Sequence, residues 1–91
     1  MGAERRTDWP AWWDWELELS SHLLKRMVDR RFSEVDLRSM MASGMDLRED
    51  DEAGRWVVGT THESRPWDVI VQPDEDAQLL IIITAYPLES P

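Results

Sequence analysis

The chain has 91 residues, 19 acidic side chains against 10 basic ones, a net charge of −9 and no cysteine. That length makes one small domain, the missing thiols exclude disulfides and thiolate zinc sites, and the net charge excludes broad attraction to nucleic acid. No signal-peptide pattern follows Met1-Gly2-Ala3-Glu4-Arg5-Arg6, and no apolar run approaches the roughly 20 residues that span a bilayer, so a cytoplasmic protein is expected.

Residues 1–8 are polar and expected to be loose, and residues 1–12 together form a flexible, tryptophan-containing arm ahead of a domain over 13–87. Four of the six tryptophans fall in Trp9-Pro10-Ala11-Trp12-Trp13-Asp14-Trp15. From Trp13 the alternation is strict. Trp13, Trp15, Leu17 and Leu19 share one side, and Asp14, Glu16, Glu18 and Ser20 share the other, which predicts a half-buried strand over 13–19. Trp13 and Trp15 therefore belong to the core. Trp9 and Trp12 precede the alternation and are candidates for partner binding.

The spacing next predicts a helix over 21–31, capped by Ser20 or Ser21. Leu23, Leu24, Met27 and Val28 make its apolar stripe. His22, Arg26, Asp29 and Lys25 lie opposite, with Arg30 at the border. Residues 21–41 carry five basic groups against three acids, a local positive island in an acidic chain. His22 can move a proton, and Arg26 can hold a phosphate or carboxylate with a two-pronged set of donors. The plainer reading is a solvated face with Asp29 paired to Lys25 or Arg26.

Ser33-Glu34-Val35-Asp36 is a capping-box pattern that opens a second helix over 34–42, with Val35, Leu37, Met40 and Met41 as its apolar set and Gly44 as its stop. Residues 45–48 form a short strand or an extended arm, and Glu49-Asp50-Asp51-Glu52 is a solvated acidic turn. Strands are expected over 55–61, 67–71 and 79–86, joined by the loop 62–66 and the turn 72–77. The short connections imply an antiparallel meander. The last strand is apolar on both sides and is expected to be a central strand or one covered on both sides. A tail over 88–91 closes the chain. The layout is α+β: an N-terminal strand and a two-helix hairpin packed on a sheet of three or four antiparallel strands.

His22-x-x-x-Arg26-Met27-x-x-Arg30, then Phe32-Ser33-Glu34-Val35-Asp36-Leu37, then Gly54-Arg55-Trp56, then Ile82-Ile83-Thr84-Ala85-Tyr86 together resemble the small RelE-like domains of unknown function over residues 15–87. That group is similar to the barnase–EndoU–colicin–RelE class of metal-independent ribonucleases and toxins. The resemblance implies cleavage of RNA by attack of its own 2′-hydroxyl, which needs proton transfer and cations beside the scissile phosphate. It implies His22 as the proton-transfer residue, Arg26 and Arg30 on the phosphate, Thr84 and Tyr86 completing the catalytic group, and Arg55, Thr60 and His62 contacting substrate. It also implies an antitoxin-like protein partner. By strand parity Thr60 and His62 share the side of Trp56 and Val58, and Thr84 and Tyr86 share the side of Leu80 and Ile82, so all four are expected to face the core or its rim.

Two other functions fit the residues. One is a non-catalytic interaction module that binds a protein through the tryptophan-rich arm. The other is an acidic partner that neutralises a basic protein. The two histidines and scattered acids lack metal-ligand spacing, so no metal is expected. The four glycines make no phosphate loop, and no serine sits in a nucleophile elbow, so no cofactor is expected.

Overall fold

Pro10 fixes an extended backbone, and the chain then closes a 3-10 turn over Ala11–Asp14. The Trp13 N–H donates to the Pro10 carbonyl at 3.0 Å and that of Trp15 to Trp12 at 3.1 Å. The strand expected over 13–19 therefore begins later, as β1 (Glu16–Leu19). The alternation of half-buried and exposed residues nevertheless holds from Trp13 to Leu19. The computed structural model describes residues 9–88, so the loose segment expected over 1–8 and most of the tail expected over 88–91 lie outside the described residues. The described part of the expected arm is packed rather than loose. Trp9 meets Trp13 edge-on at 4.4 Å between ring centroids, and Trp12 lies 5.7 Å from Trp56.

The helices are α1 (Ser21–Arg30) and α2 (Glu34–Ala42), and the remaining strands are β2 (Asp46–Glu49), β3 (Trp56–His62), β4 (Arg65–Asp74) and β5 (Leu79–Pro87). Ser20 caps α1, its Oγ accepting the Leu23 N–H at 3.0 Å. Arg31 ends the helix in the left-handed region at φ 57°. The expected apolar stripe of α1 is half correct. Leu23 is fully buried and Met27 partly so, but Leu24 is 50% and Val28 77% exposed. The helix touches the sheet along one narrow line, so residues one position off that line return to solvent. Val35 of α2 is likewise exposed, leaving Leu37, Met40 and Met41 as its buried set. The capping box forms as expected: the Ser33 N–H donates to the Asp36 carboxylate at 2.9 Å, and the Asp36 N–H to Ser33 Oγ at 3.1 Å.

The five strands make one sheet in the order β1-β5-β4-β3-β2. Four run as the expected antiparallel meander. The sheet is nevertheless mixed, because β1 pairs parallel to β5, Glu16 opposite Leu79 through Leu19 opposite Ile82. The loop expected over 62–66 shrinks to Glu63 and Ser64, both left-handed at φ 53° and 65°, the pattern of a tight hairpin turn matched to strand twist.

The core lies between the helices and one face of the sheet. Leu23, Phe32, Leu37, Met40 and Met41 meet Val58, Trp67, Val69, Val71, Leu80, Ile82 and Ala85. The tryptophan arm, Leu17, Leu19 and Trp56 extend that layer. Among the described residues no helix lies on the opposite sheet face. Among the described residues no helix is long and apolar enough to cross a membrane.

Candidate active site

One irregularity in β5 decides which side chains reach the helix-free face. Val71 pairs with Ile82 but Ile70 pairs with Thr84, so Ile83 is an extra residue, a β-bulge. The bulge reverses the parity of everything after it. Leu80, Ile82 and Ala85 face the core. Thr84 lies opposite Ile70, and Tyr86 opposite Asp68. Thr84 and Tyr86 therefore do not share the side of Leu80 and Ile82, as uninterrupted alternation implies, and point away from the helices.

Tyr86 stands there beside a charged pair that sequence reasoning did not select. Asp68 is only 4% exposed, yet it lies on the face without helices. The Arg48 guanidinium donates to it at 2.8 Å from β2 and lies 3.5 Å from Asp46. Gly59, between Asp46 and Asp68 in the sheet register, leaves room for the Asp46 carboxylate. Its N–H donates to Asp46 at 3.0 Å, and a Cβ there would collide with the Asp46 carboxylate. Burial raises the Tyr86 phenol above its ordinary range, and the carboxylates of Asp68 and Asp50 push the same way while Arg48 opposes them. One signal for the pair was present in the sequence: Asp68 is the one acid inside the apolar run Trp67-Asp68-Val69-Ile70-Val71.

The cationic residues of α1 flank the same strand from its other side. β1 pairs with β5 only as far as Ile82, so among the described residues the second half of β5 has no strand neighbour there. Side chains of the α1 region take up its carbonyls. Ser20 Oγ donates to Ile83 at 2.8 Å, and Arg30 reaches Ala85 at a long 3.4 Å. Arg26 and His22 sit one and two turns earlier on the flank that carries Arg30. His22 is exposed, and half-buried Arg26 is 3.4 Å from Asp29. The plain Arg26–Asp29 pair thus coexists with the ladder.

The other expected site residues separate. Arg55 is on the helix-free face, where its Nε donates to Gln72 at 3.2 Å. Thr60 is in the core at 2% exposure, and its hydroxyl donates to the Met40 carbonyl at 2.5 Å. It fastens α2 to β3 and has no surface to offer a substrate. His62 is half-buried on the helix-covered side and meets the Trp67 ring edge-on at 5.4 Å. Trp67 Nε1 is buried without a hydrogen-bond partner, its ring set between His62 and Phe32. Thr60 and His62 are thus on the opposite side of the sheet from Tyr86.

A separate hollow of about 210 Å³ opens between the tryptophan arm and α2, lined by Trp13, Trp15, Leu17, Arg38, Met41 and Ala42. Arg38 is held at its wall by Glu34, 2.9 Å away. Trp9 and Trp12, the expected partner-binding pair, are half-buried beside this wall rather than in it.

A family model described as a domain of unknown function, DUF4258, matches residues 19–87. No curated protein and no solved structure gives a significant match. The matched stretch holds the α1 ladder, the Arg48–Asp68 pair, Thr84 and Tyr86, and it leaves the tryptophan arm outside.

Proposed function

This chain belongs to the DUF4258 family of domains of unknown function, and for it we propose the activity of a RelE-like, metal-independent ribonuclease. The supporting observation is a juxtaposition. The His22–Arg26–Arg30 flank of α1 borders the half of β5 that carries Thr84 and Tyr86, and Arg30 ties the two together. An RNA strand laid across that edge of β5 would meet a proton-transfer group and two guanidiniums on the α1 side and reach the two hydroxyls only on the other face of the strand. The 2′-hydroxyl gives up its proton as its oxygen bonds phosphorus, and the departing 5′-oxygen takes a proton as its bond breaks. His22 is assigned that proton traffic, and Arg26 and Arg30 the charge that builds on the phosphoryl oxygens. Arg55, on the helix-free face, is available to a neighbouring nucleotide.

The net charge of −9 gives the reading a quantitative edge. Attraction must come from a few local contacts, so binding through Arg26 and Arg30 alone gives a shallow salt slope, about −1.4 in log–log form for a single strand. The test is incubation of the purified chain with single-stranded RNA in chelator. Cleavage is expected, and His22→Ala should slow it about 10²-fold or more while leaving the fold intact. Intact RNA with folded wild-type protein, or equal cleavage by His22→Ala, ends this reading.

A second reading, a non-catalytic module that binds a protein partner, is supported by the indole-walled hollow beside α2. Its size suits one large apolar side chain from an extended partner segment, a common anchoring mode. Tryptophan emission should then shift on complex formation, and Ala42→Trp should block binding by filling the hollow. RNA cleavage that survives Ala42→Trp separates the two readings.

A further inference from the structure

Helix α1 keeps two apolar side chains in water. Leu24 and Val28 are one turn apart, so they stand one above the other, and both lie off the line that packs on the sheet. Val28 is the more unusual of the two. A β-branched side chain gives up rotamer freedom in a helix, and burial usually offsets that loss. Val35, early in α2, is exposed in the same way. The charge beside the pair has one sign. Lys25 lies three residues before Val28 and Arg31 three after it, both exposed, and neither has an ion-pair partner among the described residues. Asp29, the one acid of α1, is already engaged by Arg26 at 3.4 Å.

We propose that this ridge of α1 is a docking surface for an acidic amphipathic helix of a protein partner, with apolar residues seated on Leu24 and Val28 and carboxylates on Lys25 and Arg31. The surface is distinct from the hollow beside α2, and it is available whether or not the chain cleaves RNA. Charge complementarity selects this occupant. The chain carries −9 overall, but at about 0.1 M salt an exposed charge is felt over only about 10 Å. A single helix, about 10 Å across, therefore senses the local cations. An anionic membrane is a plane and meets the repulsion of the whole domain. A two-fold dimer through this ridge would set Lys25 and Arg31 against their own copies, like charge against like. The contact is small, so binding is expected to be weak and quickly reversible.

The test uses the full chain and three synthetic helical peptides of equal length. The first has leucines along one face and glutamates on the other. The second has lysines in place of the glutamates, and the third scatters the leucines of the first around the helix. In a nuclear magnetic resonance titration the amides of Leu24, Lys25, Val28 and Arg31 should shift with the first peptide only. Val28→Ser should weaken that binding about tenfold or more with the circular dichroism unchanged. Lys25→Gln with Arg31→Gln should weaken it about fivefold or more. Raising salt from about 0.05 M to about 0.5 M should weaken it several-fold in wild type and less in that double variant, a pattern that plain hydrophobic adhesion does not produce. Failure of the first peptide to bind, equal binding by the lysine or the scattered peptide, or shifts centred on Trp13 and Trp15 overturns the docking surface. A wild-type dimer, or binding to phosphatidylserine vesicles, that Val28→Ser abolishes assigns the ridge to another occupant and overturns it equally.

Discussion

The two faces of the sheet achieve burial by different means. On the covered face, α1, α2 and the tryptophan arm lay hydrocarbon over Val58, Val69, Val71, Leu80 and Ile82. Among the described residues there, the Thr60 hydroxyl is satisfied by a backbone carbonyl, while Trp67 Nε1 is buried without a partner. On the bare face, Val57, Ile70 and Asp68 are almost as inaccessible with no helix above them. Their neighbours include long side chains of the sheet itself, Arg48, Arg55, Gln72 and Tyr86. The first arrangement stores stability. The second keeps charge and hydroxyl groups close to solvent in a partly desolvated setting, where polar contacts are stronger than in water. Among the described residues, hydrocarbon covers one face, and the ion pair and long polar side chains of the sheet gather on the other.

Substitutions can sharpen that contrast. The largest loss is expected from truncating the covered face. Leu80→Ala or Leu37→Ala empties a fully buried site and should cost about 2–5 kcal/mol in a denaturant titration, a large share of the stability of any such domain. Next is the bare face. Arg48→Met leaves Asp68 buried and unpaired, at about 1–3 kcal/mol, reduced from a fully interior pair because Arg48 is half in water. The double variant Arg48→Met/Asp68→Leu should recover most of that loss, because it removes the stranded charge. If the double variant is as unstable as the single one, the bare face depends on its ion pair for stability and the contrast fails. Gly59→Ala should cost about 1 kcal/mol or more by displacing Asp46 from its N–H bond, readable as lost protection of that amide in hydrogen exchange. Ser20→Ala removes both the α1 cap and the bond to Ile83, at about 1 kcal/mol, and should loosen the junction of α1 with β5. The smallest effect is on acidification. The backbone N–H and hydroxyl of Ser33, with a contribution from His62, hold the Asp36 carboxyl below its usual range. Its support for α2 is therefore full above about 4 and disappears as pH falls through the lowered native value. Asp36→Asn should remove that acid-side dependence in a circular-dichroism titration.

Local order was readable where the determinants are local. Ser20, Ser33 and Asp36 announce both helix starts, period two announces β1, and runs between turn signals announce β3, β4 and β5. The α+β class follows from their sequence of appearance. Three features were hidden for physical reasons. The parallel pairing of β1 with β5 joins segments some sixty residues apart, beyond any periodicity. The bulge at Ile83 inverts the parity of Thr84 and Tyr86 without a glycine to mark it. The Glu63–Ser64 turn adopts left-handed backbone with residues that do not advertise it. Of the candidate site, the α1 flank came from helical spacing and Thr84 and Tyr86 from the family resemblance, although parity placed the last two on the wrong face. Arg48 and Asp68 were missed because their contact spans two strand boundaries, and Arg48 reads as a lone cation in an acidic stretch.

The pairing of β1 with β5 also constrains how the chain reaches its final form. Among the described strands β1 pairs with β5 alone, so that ladder cannot close until both helices and the three strands between them in the chain have been made. Loop closure over that distance is slow. Until that pairing forms, the isoleucine-rich β5 keeps a row of unpaired backbone groups along one edge.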